Sequence, residues 1–218
     1  MREGGVGVKA MLRNTLTSSV ACAILWQYPE KGPVVKQEVP LAHAHRLLAG
    51  QPACLLTVRY RGQENVMSLG WICPISLEPP LLVLAIHPSR YTHDMLERSQ
   101  ECVLNIPSRP LAEQLVRCGT LSGAEGDKLA DSGLTLENGQ RIEVPWIGEC
   151  LAHLECALVE RLAPGDHTLF VVEIVGAWAE QEAFGQTWIV NDQQEDLLPL
   201  HHLGGGRFGL LGSSFATS

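Results

Sequence analysis

The segment His87-Pro88-Ser89-Arg90-Tyr91-Thr92-His93 concentrates groups that bind an anion. Ser89 and Thr92 bring hydroxyl donors. Arg90 brings a planar, permanent cation that matches the oxygens of a phosphate. The segment follows a strongly apolar run and opens a helical pattern, so the unpaired N–H groups of a helix start add to the same chemistry. The plain alternative is a capped helix start with a solvated arginine.

A second stretch, Asn65 to Ser76, has small or polar residues at Ser68, Gly70 and Ser76 in a strand context. Small residues let a flat ligand approach the backbone, whose N–H and C=O groups can pair with ring heteroatoms. Trp71 could cover such a ring. Alternatively, Met67, Leu69, Trp71 and Cys73 form one core face, and Ser68 and Gly70 face solvent. Asn105 breaks an apolar run at a strand end, followed by Ile106 and Pro107. Its amide suits either a ligand or a loop cap.

The stretch from Arg117 to Gly123 carries Cys118 and Ser122, and Lys128 follows closely. No histidine or acid is tied by spacing to Cys118, so an inert thiol is the expectation rather than a nucleophile. Lys128 suits a second cation for a phosphate or a surface helix lysine. The histidines show no His-Glu-x-x-His spacing, and the sequence predicts no metal site. No Gly-x-Ser-x-Gly elbow is present.

The elements that must position these groups are short strands. Residues 53–60, 65–73, 81–87 and 101–107 read as strands, the third as buried on both faces. Residues 41–49, 92–100 and 111–117 read as short helices, the last with Pro110 in its first turn. Residues 119–140 read as loop and short helix, and 141–147 as a short strand. Two longer strands follow around a turn at 163–166. The first sets Leu154, Cys156 and Leu158 opposite His153, Glu155 and Arg161. The second sets Phe170, Val172, Ile174 and Trp178 on one face. Short edge pieces are expected at 188–190 and 207–210. Strands and helices do not alternate as in a doubly wound sheet, and neither a Gly-x-Gly-x-x-Gly turn nor a Walker lysine is present. A mainly β, antiparallel barrel with a few short helices is the predicted fold class.

Composition sets the remaining bounds. The 218 residues suit one domain, with 45% hydrophobic and 18% charged residues. Sixteen basic against twenty-four acidic residues give a formal charge of −8, with no Lys/Arg-rich run. That argues against a nucleic-acid partner. Seven cysteines, an odd number, lie largely in apolar runs and read as reduced thiols of a cytoplasmic protein. No run of eighteen apolar residues occurs, so no membrane span is expected. Residues 11–26 have a weak likeness to an export signal, but the apolar run is short, and residues 1–36 read as an N-terminal extension.

The ordered pieces Asn65-Val66-Met67-Ser68, Gly70-Trp71, Pro74-Ile75-Ser76 and Pro79-Pro80 resemble the flavin reductase-like, FMN-binding split-barrel family, nearest its flavoredoxin-type branch. So do Ser89-Arg90-Tyr91-Thr92-His93, Val103 to Pro107, Cys118 to Gly123, Asp127-Lys128, Gly165-Asp166-His167-Thr168 and Leu200 to Gly205. The resemblance implies a Greek-key split barrel over residues 37–210, followed by a tail at 211–218. It implies FMN rather than FAD near a homodimer interface, with NAD(P)H as reductant. By this resemblance Asn65, Met67, Ser68, Leu69, Gly70, Trp71 and Ser76 line the flavin ring. Ser89, Arg90, Tyr91 and Thr92 hold its phosphate. Asn105 and Ile106 lie near the ring or ribityl chain, and Cys118, Ser122 and Lys128 border the pocket. Flavin N5 would carry the chemistry, so no catalytic side chain is demanded; His93 and His167 are candidates for the nicotinamide side. Electrons would pass to free flavin, a partner oxygenase or another electron-accepting protein. The alternative is a flavin- or haem-binding protein without catalysis. Ser68 stands where threonine is common, Glu78 where aspartate is usual, and Cys73 beside Pro74 is less usual.

Overall fold

The structure is a computed structural model, and it describes residues 39–48, 50–126, 128–130 and 132–215. The expected extension 1–36, with its export-like stretch, lies outside these residues, as do the last three residues of the expected tail. The first described element is one helical turn, α1 (Leu41–Ala44), continued as a tighter turn over His45–Leu48. A hairpin follows, from β1 (Cys54–Tyr60) to β2 (Gln63–Leu69). Its two-residue turn needs positive φ at both positions, 53° at Arg61 and 78° at Gly62.

The chain then forms β3 (Ile72–Leu77), β4 (Pro80–Ile86), α2 (Tyr91–Ser99), β5 (Glu101–Ile106) and α3 (Ala112–Thr120). Two short pieces, β6 (Leu136–Glu137) and β7 (Trp146–Ile147), precede the long pair β8 (Ala152–Leu162) and β9 (Thr168–Ala179). The hairpin β10 (His201–Gly204) and β11 (Arg207–Gly209) comes last.

Seven strands make one antiparallel sheet in the order β2-β1-β5-β8-β9-β4-β3. The two ends of this order, β2 and β3, are consecutive in the chain and joined only by Gly70 and Trp71. A flat sheet of seven strands would be about 29 Å across. Yet Val58, Met67, Leu84, Leu104, Cys156 and Phe170 share one cluster with Met95 and Leu96 of α2, and Ile72 packs against it. The sheet is therefore curled around a single apolar interior, a split barrel. On the outer face Leu55 and Val66 meet Leu111, Leu115 and Cys118 around α3. Fully burying one such leucine contributes about 2–3 kcal/mol, and truncating Leu104 to alanine costs about 2–5 kcal/mol.

Several expectations are corrected. The strand expected over 65–73 breaks at Gly70 and resumes as β3, with Pro74 tolerated because β3 is an edge strand. β4 is not buried on both faces: Leu82, Leu84 and Ile86 point inward and are buried, whereas Leu81, Val83 and Ala85 are half-buried. Of the strand expected at 141–147 only Trp146–Ile147 forms. Residues 188–190 contribute an isolated bridge from Trp188 to Phe184. Among the described residues no helix is long and apolar enough to cross a membrane.

Candidate functional site

A cavity of about 140 Å³ opens where β2, the start of α2 and the end of α3 converge. Its walls are Met67 and Ser68 of β2, Ser89 to Thr92, the stretch Cys118 to Gly123, and Lys128. The structure thus brings together Met67, Ser68, Ser89, Arg90, Tyr91, Thr92, Cys118, Ser122 and Lys128 from three separate stretches of sequence.

Arg90 caps α2 in extended conformation, with φ −80° and ψ 129°, so its side chain leaves the helix axis. Its guanidinium has no hydrogen bond or ion pair among the described residues. Thr92 is 1% exposed, and its Oγ1 accepts a bond from Asn65 Nδ2 at 2.7 Å. That bond leaves the threonine O–H free to donate. Lys128 is 7% exposed and its Nζ donates to the carbonyls of Cys118 (3.1 Å) and Leu121 (3.2 Å) at the end of α3. Burial lowers the Lys128 pKa; the Cys118 thiol acts to raise it and Arg90 to lower it. Two cations and a poised hydroxyl at the start of a nine-residue helix form a donor set suited to a dianionic phosphate.

Ser89 engages His87 instead. Its N–H donates to His87 Nδ1 at 3.1 Å, and its hydroxyl lies 2.8 Å from the same nitrogen. Cys118 is buried and its thiol pKa is pushed up by that burial, so it is inert. Gly119 and Gly123, part of the Arg117–Gly123 stretch but not among the expected site residues, also matter. A Cβ on Gly119 would sit 3.1 Å from Ser68 Oγ, and one on Gly123 would sit 2.3 Å from Asn65 Oδ1. The loop after α3 therefore lies backbone-on against β2. The four-residue spacing of the two glycines was the available signal.

A larger cavity of about 890 Å³ continues from the first past Tyr91, Gly123 and Lys128, with Glu64, Asn65, Leu134 and Leu136 in its walls. On the other side, Gly70 and Trp71 line a groove of about 370 Å³. The Trp71 ring packs at 4.6 Å from His167, and His167 meets His87 at 5.2 Å. His167 Nδ1 lies 2.8 Å from the Asp166 carboxylate. A line of rings thus runs from the groove to Ser89.

Other sequence-derived residues fall elsewhere. Asn105 and Ile106 line none of these cavities. Asn105 is fully buried and its amide is saturated by the protein: Nδ2 donates to the Leu55 carbonyl (2.9 Å) and Thr57 Oγ1 (3.2 Å), and Oδ1 accepts from Ile147 N–H (3.0 Å) and His153 Nδ1 (2.9 Å). Ile106 and Leu69 belong to the barrel interior. Ser76 lies on the edge strand β3, away from the three cavities. His93 is buried, 2.8 Å from Thr168 Oγ1 and edge-on to Phe170 at 4.9 Å, so it closes the barrel rather than facing Trp71. Burial lowers its pKa.

Of the expected polar face of β8, His153 and Glu155 are buried, whereas Arg161 is exposed. Glu155 is fully enclosed, and its carboxylate accepts from Gln140 N–H (2.6 Å), Arg141 N–H (2.8 Å) and Trp146 Nε1 (2.8 Å). His153 stacks on Trp146 at 4.4 Å, and burial lowers its pKa to about 4. These side chains pin residues 139–147 to the barrel wall.

Comparison with known proteins gives a consistent picture. The flavin reductase like domain matches residues 47–208. The uncharacterized protein YddH of Escherichia coli is 31% identical over 176 residues, covering 78% of this chain and 92% of YddH. An uncharacterized protein of Archaeoglobus fulgidus is 44% identical over 113 residues, covering 52% of this chain and 64% of its own length. The crystal structure of an FMN-binding domain of a flavin reductases-like enzyme from Shewanella baltica superposes with a TM-score of 0.71 at 30% identity, covering 83% of this chain and 96% of that one.

Proposed function

The chain belongs to the flavin reductase like domain family, and from that premise we propose that it holds FMN and acts as an NAD(P)H-dependent oxidoreductase of flavin reductase or flavoredoxin type. The observation that carries the reading is the meeting of Arg90, Thr92 and Lys128 at the start of α2. Lys128 is buried and Arg90 lies near enough to act on its pKa, so an anion in this cavity would be stabilised by both charges. A flavin phosphate supplies that anion, so the residues present fit the group. The likeness to the Shewanella FMN-binding domain supports the same assignment.

Bound FMN would supply a two-electron carrier able to take hydride from NAD(P)H at N5 and release electrons to free flavin or an electron-accepting protein. The chain's own residues would do the holding. Arg90, Lys128 and the Thr92 hydroxyl bind the phosphate, and Asn65 orients that hydroxyl. The strand break at Gly70 lets a flat ring approach the backbone, and Trp71 excludes water from its edge. His167, held by Asp166 against Trp71, stands on the side where a nicotinamide would stack. No acid–base pair is required, because the reacting hydrogen moves as hydride.

We place the flavin near a homodimer interface. The exposed apolar side chains of edge strand β3, Ile75 at 51% and Leu77 at 92%, support a covered edge.

The test is anaerobic mixing of the FMN-loaded protein with NADH and, separately, NADPH. Loss of the oxidised flavin's visible absorbance with either is expected. A flavoprotein that neither nicotinamide bleaches would end the proposed hydride transfer. Retention of FMN through purification favours the flavoredoxin type, and a turnover that requires added free flavin favours the reductase type.

A further inference from the structure

The groove beside Gly70 and Trp71 has an unexpected charge composition. The chain carries a formal charge of −8, yet among the described residues no carboxylate lines this groove. Its ionisable lining groups with a positive form are Arg46, His45 and His202. Arg46 has no hydrogen bond or ion pair among the described residues. Its stem lies over Gly204, where φ is 93° and a Cβ would come within 3.1 Å of Arg46 Cδ. A side chain there would displace the arginine.

The rest of the groove is apolar and flat-sided. Trp71 is 48% exposed and is flanked by His45 at 5.7 Å and His167 at 4.6 Å. Ile72, Val83 and Ala85 supply the floor. With the Gln51 amide turned so that its nitrogen faces these acceptors, it donates to the Gly70 carbonyl (3.1 Å) and the Ile72 carbonyl (2.7 Å), which ties down the backbone at the strand break. An aromatic wall favours a planar ring, and an unpaired guanidinium favours a carboxylate in the same plane, through two parallel N–H···O bonds.

We propose that this groove seats a small aromatic carboxylate, its ring against Trp71 and its carboxylate on Arg46. Binding of such a ligand is independent of the flavin. That the groove borders the flavin ring rests on the function proposed above, because Gly70 and Trp71 belong to both the groove and the wall assigned to that ring.

Calorimetric titration of the full chain with benzoate and with uncharged benzamide, with and without FMN, tests the assignment. Benzoate is expected to bind about tenfold tighter than benzamide. Arg46→Gln should erase that preference, and Trp71→Ala should weaken both ligands while the melting temperature of Arg46→Gln stays unchanged. Equal affinity for the two ligands, binding of neither, or an undiminished preference in Arg46→Gln would overturn the proposal. Failure of benzoate binding with FMN still bound would remove the groove alone. Benzoate binding without any FMN binding would remove the flavin reading alone.

Discussion

Asn65 Nδ2 donates to Thr92 Oγ1 at 2.7 Å, joining barrel strand β2 to the first turn of α2. Both residues are buried, at 2% and 1% exposure, so water does not replace the bond. Asn65→Leu keeps the volume and removes the donor. The expected loss is about 1–3 kcal/mol of stability, read as a lower urea midpoint. FMN affinity should fall with it, because the Thr92 hydroxyl is then free to turn away from the cavity.

Gly123→Ala attacks the same relationship from the other side. The added carbon would fall 2.3 Å from Asn65 Oδ1 and 2.9 Å from Tyr91 Cδ1, so the loop or the asparagine must move. Weaker FMN binding and a lower melting temperature are expected. Gly165→Ala, with open space around the new carbon, is the control and should leave both unchanged.

Lys128 predicts an alkaline limit to cofactor binding. Burial holds its pKa below the ordinary lysine value, so the empty folded protein releases this proton before an unfolded chain would. A bound phosphate favours the charged form and raises the pKa again. FMN affinity should therefore decline as pH rises through the lowered Lys128 pKa. Lys128→Met should bind FMN more weakly at neutral pH and show no such decline. A wild-type affinity flat across this alkaline range would contradict the role given to Lys128.

His153 predicts an acid limit to stability. Its pKa is lowered from 6.5 to about 4 by burial, so between these values the unfolded chain takes a proton that the folded chain refuses. Stability contributed by the neutral ring is full above 6.5 and drains away as pH falls toward 4, by about 3 kcal/mol. Denaturant melts at pH 7 and pH 4.5 should show this slope, and His153→Gln should flatten it.

The buried Glu155 predicts a large single-site cost. Glu155→Ala strands Gln140 N–H, Arg141 N–H and Trp146 Nε1 without their acceptor. A loss of about 3 kcal/mol or more is expected, with a change in tryptophan fluorescence as residues 139–147 detach.

The parts of this molecule legible in the sequence were those with local signals. Period-two patterning located the long strands. Hydroxyls and an arginine after an apolar run marked Ser89 to Thr92, and the structure sets them beside Cys118, Ser122 and Lys128. What was not legible depended on contacts across the fold. Asn105 read equally as ligand or cap, and only the pairing of β5 with β1 and β8 shows its amide saturated. Glu155 and His153 alternate with core residues like ordinary surface groups, but residues 139–147 fold over them. The break at Gly70 was hidden because the apolar pattern runs through it, while closure of the barrel requires the chain to cross there from one sheet end to the other.

In the proposed function Arg90 and its neighbours hold the phosphate of a flavin. Fluorescence titration of wild type and Arg90→Ala with FMN and with riboflavin, which lacks the phosphate, tests it most directly. Wild type should prefer FMN, and Arg90→Ala should weaken FMN at least about tenfold, a loss of about 1.4 kcal/mol, while leaving riboflavin unchanged. Equal affinity of wild type for the two flavins, or unchanged FMN affinity in Arg90→Ala, would contradict the account.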